Sequence, residues 1–116
     1  MLKFDFTPAL RGLNLVTINE VSVKENSRGE YLDIEVKDSD GNIHHLFNNI
    51  NENTERYVIA QLCNLGNQLK LPKMDSKELL KAFKGKEAEI EVQEGNGFRI
   101  YPYTQLSATI EEGGEL

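Results

Sequence analysis

The sequence predicts a mainly β domain of five strands closing into a small barrel, with a helical connection between the third and fourth strands. Three observations carry that expectation. Apolar residues alternate with period two before residue 50 and again after residue 86. Between those limits the period changes to that of an amphipathic helix. The first strand also flips its apolar phase halfway along, as a bulge would make it do.

The elements follow in order. In LKFDF, Leu2, Phe4 and Phe6 share one face of an extended segment that Pro8 interrupts. LNLVTINEVSVK is a long strand with Val16 and Ile18 in one phase and Val21 and Val23 in the other. ENSRGE is a turn, and EYLDIEVK then sends Leu32, Ile34 and Val36 inward and Tyr31, Asp33, Glu35 and Lys37 outward. DSDGN is a second turn, with Gly41 available for positive φ, and NIHHLFN is the third strand of a meander.

In the helical connection, Val58, Leu62, Leu65 and Leu69 recur at spacings of four, three and four, with Asn51 or Asn53 as the cap and Gly66 weakening the last turn. Cys63 falls in this pattern and reads as core packing. A shorter helix follows over MDSKELLKAFKGK, where Asp75 and Glu78 form a capping-box variant and Gly85 is placed to end it. KEAEIEVQE turns Ala88, Ile90 and Val92 inward, GNG is a hairpin turn, and FRIYPYT is the final strand. Three meandering strands, a helical link and a hairpin match the oligonucleotide/oligosaccharide-binding (OB) barrel. The domain is expected to span residues 1–104, and 105–116 to be an acidic, flexible tail.

At 116 residues and 39% apolar side chains, the chain has enough surface to bury for one domain. Neither a long apolar run nor an apolar start suggests a membrane segment or secretory leader, so a soluble, cytoplasmic protein with no membrane partner is expected. One cysteine excludes an internal disulfide and a thiolate metal cluster. The net charge of −6 argues against non-specific coating of duplex DNA. Glu111, Glu112 and Glu115 sit in the tail, and the remaining acids still outnumber the 13 bases. A body with that balance can hold a local basic groove.

Nothing in the sequence suggests catalysis, a metal or a cofactor. His44 and His45 are neighbours on a strand and point to opposite faces, so they cannot converge on one metal. No nucleophile elbow, phosphate loop or zinc-binding motif is present.

The aromatic residues are more informative. Arg99, Tyr101 and Tyr103 share one face of the last strand, while Phe98 and Ile100 serve the core. Tyr31 shares the outward phase with Lys37, and Lys24 and Arg28 flank the preceding turn. Rings facing solvent beside cations can stack unpaired bases and hold phosphates. The seven candidate DNA-binding residues are therefore Lys24, Arg28, Tyr31, Lys37, Arg99, Tyr101 and Tyr103. Lys70, Lys73, Lys77, Lys81, Lys84 and Lys86 form a second basic region, which is either a solvated face or a phosphate track.

GLNLVTINEVSVKENSRGEYLDIEVKDSDG, YVIAQLCNLGNQL and GKEAEIEVQEGNGFRIYPY together resemble the small single-stranded DNA-binding proteins of lactococcal and related siphophages, over Leu13 to Tyr103. The resemblance implies an OB-fold protein that coats single strands in phage DNA replication and recombination, self-associates as a homo-oligomer, and cooperates with a phage annealing protein or host recombinase. Unlike the better-known bacterial single-strand binders, this chain has no tryptophan. Its IEEGGEL end is similar to their acidic recruiting tail but lacks the Pro-Phe ending. The alternative expectation is a small β-barrel used for protein interaction or virion assembly, with its tyrosines buried between copies.

Overall fold

Alternation becomes strand throughout the first half of the chain, as the computed structural model shows for the residues it describes, 8–106. Strands β1 (Gly12–Asn26), β2 (Gly29–Lys37) and β3 (Ile43–Ile50) form the meander. Helices α1 (Glu55–Gln68) and α2 (Ser76–Ala82) follow, then β4 (Glu87–Val92) and β5 (Phe98–Arg99). All pairings are antiparallel, in the order β3-β2-β1-β4-β5. The expected segment Leu2 to Phe6 lies outside the described residues.

The phase flip in β1 is a bulge. Ile18 faces Val36 and Glu20 faces Glu35, so Asn19 has no residue opposite it. The extra residue lets Val16 and Ile18, then Val21, all reach the core. At the same point β1 changes neighbours: Gly12–Thr17 pair with β4, and Thr17–Asn26 with β2. Val23, expected inside, is 49% exposed, because from there to Glu30 the hairpin extends past the packed region.

Leu32, Ile34, Val36, Leu46, Ala88, Ile90, Val92, Phe98 and Ile100 complete the core from the sheet, and Val58, Leu65 and Phe83 close it from the helical side. The sequence reading had not picked out Phe83. It is fully buried just past α2, where Gly85 at φ +80 ends the helical run and donates its N–H to the Ile18 carbonyl. Asp75 caps α2 as expected, its carboxylate accepting the Glu78 N–H at 2.9 Å.

Four expectations about α1 and the last strand need correction. The buried face of α1 is Val58, Gln61, Leu65 and Gln68, with Leu62 and Leu69 only partly covered. Two amides replace two leucines there because the end of the chain's last strand needs hydrogen-bond partners. Cys63 is exposed, since the same rotation turns it away from the sheet. Thr54 stands at the N-cap of α1, while Asn51 instead organises the preceding turn by accepting the N–H groups of Asn53 and Thr54. The last strand is two residues long, not seven: Ile100 and Tyr101 bond to α1 side chains instead of to a neighbouring strand.

Among the described residues a barrel closed by a β3–β5 ladder is not formed. The two end strands approach within 8 Å between Cα atoms, but no described residue pairs with the outer edge of either. Gln105 and Leu106, assigned by the sequence to a flexible tail, are held by backbone N–H groups bonded to the buried Glu89 carboxylate at 2.7 and 2.8 Å. The rest of that segment lies outside the described residues.

Candidate nucleic-acid interface

The outward phase of β2 and β3 carries a row of rings. Register places Tyr31 beside Asn49, Asp33 beside Phe47 and Glu35 beside His45. Tyr31 and Phe47 meet edge to face with centroids 5.6 Å apart, and the His45 imidazole stacks on Phe47 at 6.3 Å with planes 10° apart. Phe47 is 37% exposed, although it carries no polar atom that would favour solvent. The sequence reading missed both Phe47 and His45 as ring partners. Their alternation in the outward phase of NIHHLFN was the available signal.

Beneath the rings lies a charged cluster. Asp33 is outward in phase yet buried, because Lys24 and His45 fold over it at 2.6 and 3.1 Å. The second His45 nitrogen is 3.6 Å from Glu35. The hydrogen bond to Asp33, then its charge, raises the Lys24 ammonium above its ordinary value. Lys24 was expected to hold phosphate, but its charge is already matched by a carboxylate.

Among the described residues Arg28 has no such partner. The turn Ser27–Arg28 is closed by the Arg28 N–H donating to Asn26 Oδ1 at 2.8 Å, with Gly29 at φ +122. Arg28 is exposed, and no ion pair among the described residues engages its guanidinium. It borders a groove of about 370 Å³ whose lining includes Tyr31, Phe47, Asn49 and Asn51. Arg28, Tyr31 and the stem of Lys24 therefore converge at one end of the face. Lys37 lies six residues from Tyr31 along β2, roughly 20 Å away at about 3.3 Å per residue.

Arg99, Tyr101 and Tyr103 form a separate cluster past the other end of the sheet order. The Arg99 guanidinium lies 5.1 Å from the Tyr101 ring centroid, and the Tyr101 hydroxyl reaches the Glu91 carboxylate at 3.3 Å. Tyr103 tilts against Tyr101 at 5.8 Å and is 56% exposed. One face of Tyr101 is thus already covered by an internal cation.

The lysines from Lys70 to Lys86 are all exposed, but they do not form one stripe. Only Lys77 and Lys81 share α2; Lys70 sits at φ 57 beyond α1, and the rest are on connections. His44 and His45 face opposite ways, as the strand period requires: the Asp38 carboxylate at the second turn accepts a hydrogen bond from His44 Nε2 at 2.7 Å. The bond from His44 leads the interactions that hold the Asp38 carboxyl below its ordinary value; backbone N–H groups of Asn42 and Asp40 add to it. No helix among the described residues is long and apolar enough to cross a membrane. Neither a family model nor a curated protein sequence matches the chain.

Proposed function

We propose that this chain is a non-catalytic, sequence-tolerant single-stranded DNA-binding protein of the OB type, acting in phage DNA replication or recombination. The observation that carries the proposal is the ring row Tyr31–Phe47–His45 on the outer face of β2 and β3, beside a groove bordered by the exposed Arg28. In OB-folds that face and the adjoining β1–β2 loop receive oligonucleotides. The sheet order and the helical link between β3 and β4 fit the same architecture, with an open seam between β3 and β5. Rings stack bases whatever their identity, and the cation holds the backbone, so sequence tolerance follows. On this reading the protein self-associates on the strand and works beside an annealing protein or recombinase.

A protein-interaction or virion-assembly module is the second reading. The acidic neighbours Glu20 and Glu35 on the same outward face favour it. Fluorescence anisotropy with oligo-dT and a duplex of equal length, at two salt concentrations, separates the two. Preference for the single strand with affinity falling as salt rises supports DNA binding. No binding at micromolar protein overturns it.

A further inference from the structure

Asp33 sits within the ring row, yet it meets almost no solvent. Register places it opposite Phe47 on β3 and Ser22 on β1, and Tyr31 precedes it by two residues in the same outward phase. The strand period would expose such a side chain, but only 3% of it is exposed. Two donors cover the carboxylate: Lys24 Nζ at 2.6 Å and His45 Nδ1 at 3.1 Å. Lys24 itself lies opposite Tyr31 across the β1–β2 pair, so it is a cation set beside the rings. Its side chain is still 46% exposed, within reach of a ligand lying on that face. A carboxylate oxygen and a phosphate oxygen are alternative partners for one ammonium.

We infer that Asp33 is an internal competitor of the bound strand's phosphates: it holds Lys24, limits how tightly the face binds, and leaves stacking on the rings to carry most of the affinity there. To take Lys24, a phosphate would have to give up part of its own hydration and leave the buried Asp33 carboxylate with one donor fewer, which is costly. The internal pair therefore persists when a strand is bound. This inference rests on the single-strand reading and adds to it a residue whose replacement strengthens binding. Asp33→Asn keeps an oxygen for His45 and removes the charge that holds Lys24. Because Lys24 is partly exposed, its chain can turn to solvent, and the replacement leaves no buried ammonium without a partner.

Anisotropy titrations with oligo-dT over a range of salt concentrations test this. In Asp33→Asn the slope of log affinity against log salt should steepen by about 0.7, the worth of one more phosphate contact, and affinity should rise about fivefold at about 0.1 M salt. In a Lys24→Gln background the same replacement frees no ammonium, so the slope should stay unchanged. That comparison separates a freed cation from the simple loss of a negative charge, which both backgrounds share. An unchanged slope in Asp33→Asn, shown by urea unfolding to be folded, overturns the inference, and so does equal steepening with and without Lys24. Lys24→Gln alone decides the matter even where Asp33→Asn does not fold. An unchanged slope in that variant supports the competitor role, and a slope flattened by about 0.7 overturns it, because Lys24 would then already contact phosphate in the native protein. Failure of the native protein to bind oligo-dT overturns the single-strand reading itself.

Discussion

The carboxamide of Gln68 takes the place of a strand opposite Glu89. Its Oε1 accepts the Glu89 N–H at 2.8 Å, and its Nε2 donates to the Glu89 carbonyl at 3.0 Å and to the Tyr101 carbonyl at 3.2 Å. The β4–β5 register pairs Glu91 with Arg99, so the next rung would pair Glu89 with Tyr101. Gln68 occupies that rung. The chain beyond β5 then follows α1: the Gln61 side chain accepts the Ile100 N–H, Asn64 donates to the Ile100 carbonyl, and the Tyr57 hydroxyl donates to the Phe98 carbonyl. A helix side-chain row thereby satisfies backbone groups that a barrel-closing strand would otherwise have to pair.

Replacing Gln68 with alanine should therefore cost more than a typical helix substitution. It strands a buried N–H and two carbonyls, and each buried group without a partner costs about 1–3 kcal/mol. Water entering the space offsets part of this, so a loss of about 2–4 kcal/mol in urea unfolding is expected. Asn67→Ala, one residue away and exposed, should change stability by less than about 0.5 kcal/mol. Equal effects from the two variants would show that the Gln68 rung contributes nothing.

Among the rings, Phe47 and Tyr31 should matter more for single-strand binding than Tyr101. Phe47→Ala and Tyr31→Ala each remove a stacking surface worth about 1–3 kcal/mol. Tyr101→Ala should cost less, since Arg99 already lies over that ring and Glu91 holds its hydroxyl. Anisotropy titrations with oligo-dT rank the three; a dominant Tyr101 would move the binding surface to the β5 end.

What the sequence revealed followed from periods, and what it concealed followed from partners. The β1 bulge, the Asp38 turn and the Asp75 cap were legible because each depends on residues close in sequence. The shortened β5 was not, since FRIYPYT alternates like a full strand and only Gln61 and Gln68, more than 30 residues earlier, end it. Gln61 and Gln68 themselves read as polar positions of a helix whose leucines seemed to define its inner face. Likewise Asp33 has the phase of a surface residue, and its burial comes from Lys24 and His45 folding over it. The same folding explains why Lys24, chosen as a cation beside a ring, is occupied, while Arg28 at the turn is not.

Salt dependence should separate Arg28 from Lys24. Arg28→Gln removes a cation available to phosphate, and the slope of log affinity against log salt should flatten by about 0.7 for one contact to a single strand. Lys24→Gln should leave the slope nearly unchanged, because the ammonium is already paired with Asp33 at 2.6 Å. If the two substitutions flatten the slope equally, the Lys24–Asp33 pair opens when DNA binds.

The Asp38–His44 contact predicts a specific acid sensitivity of the β2–β3 turn. The His44 bond and the backbone N–H groups of Asn42 and Asp40 favour the ionised carboxylate, so the folded state holds Asp38 below its ordinary value. Protonation is then harder in the folded chain than in the unfolded one. The contribution to stability is present above the ordinary aspartate range and is lost as pH falls through the lower folded value. Asp38→Asn keeps an oxygen for the turn but removes the charge. At about pH 6 the variant should unfold at lower urea than the native protein, and the gap should begin to narrow as pH falls below the ordinary aspartate value of about 4 and close once the folded carboxyl, held lower, is itself protonated. A gap that stays constant from about pH 6 to about pH 3 would mean that the charge on Asp38 does not contribute to holding the turn.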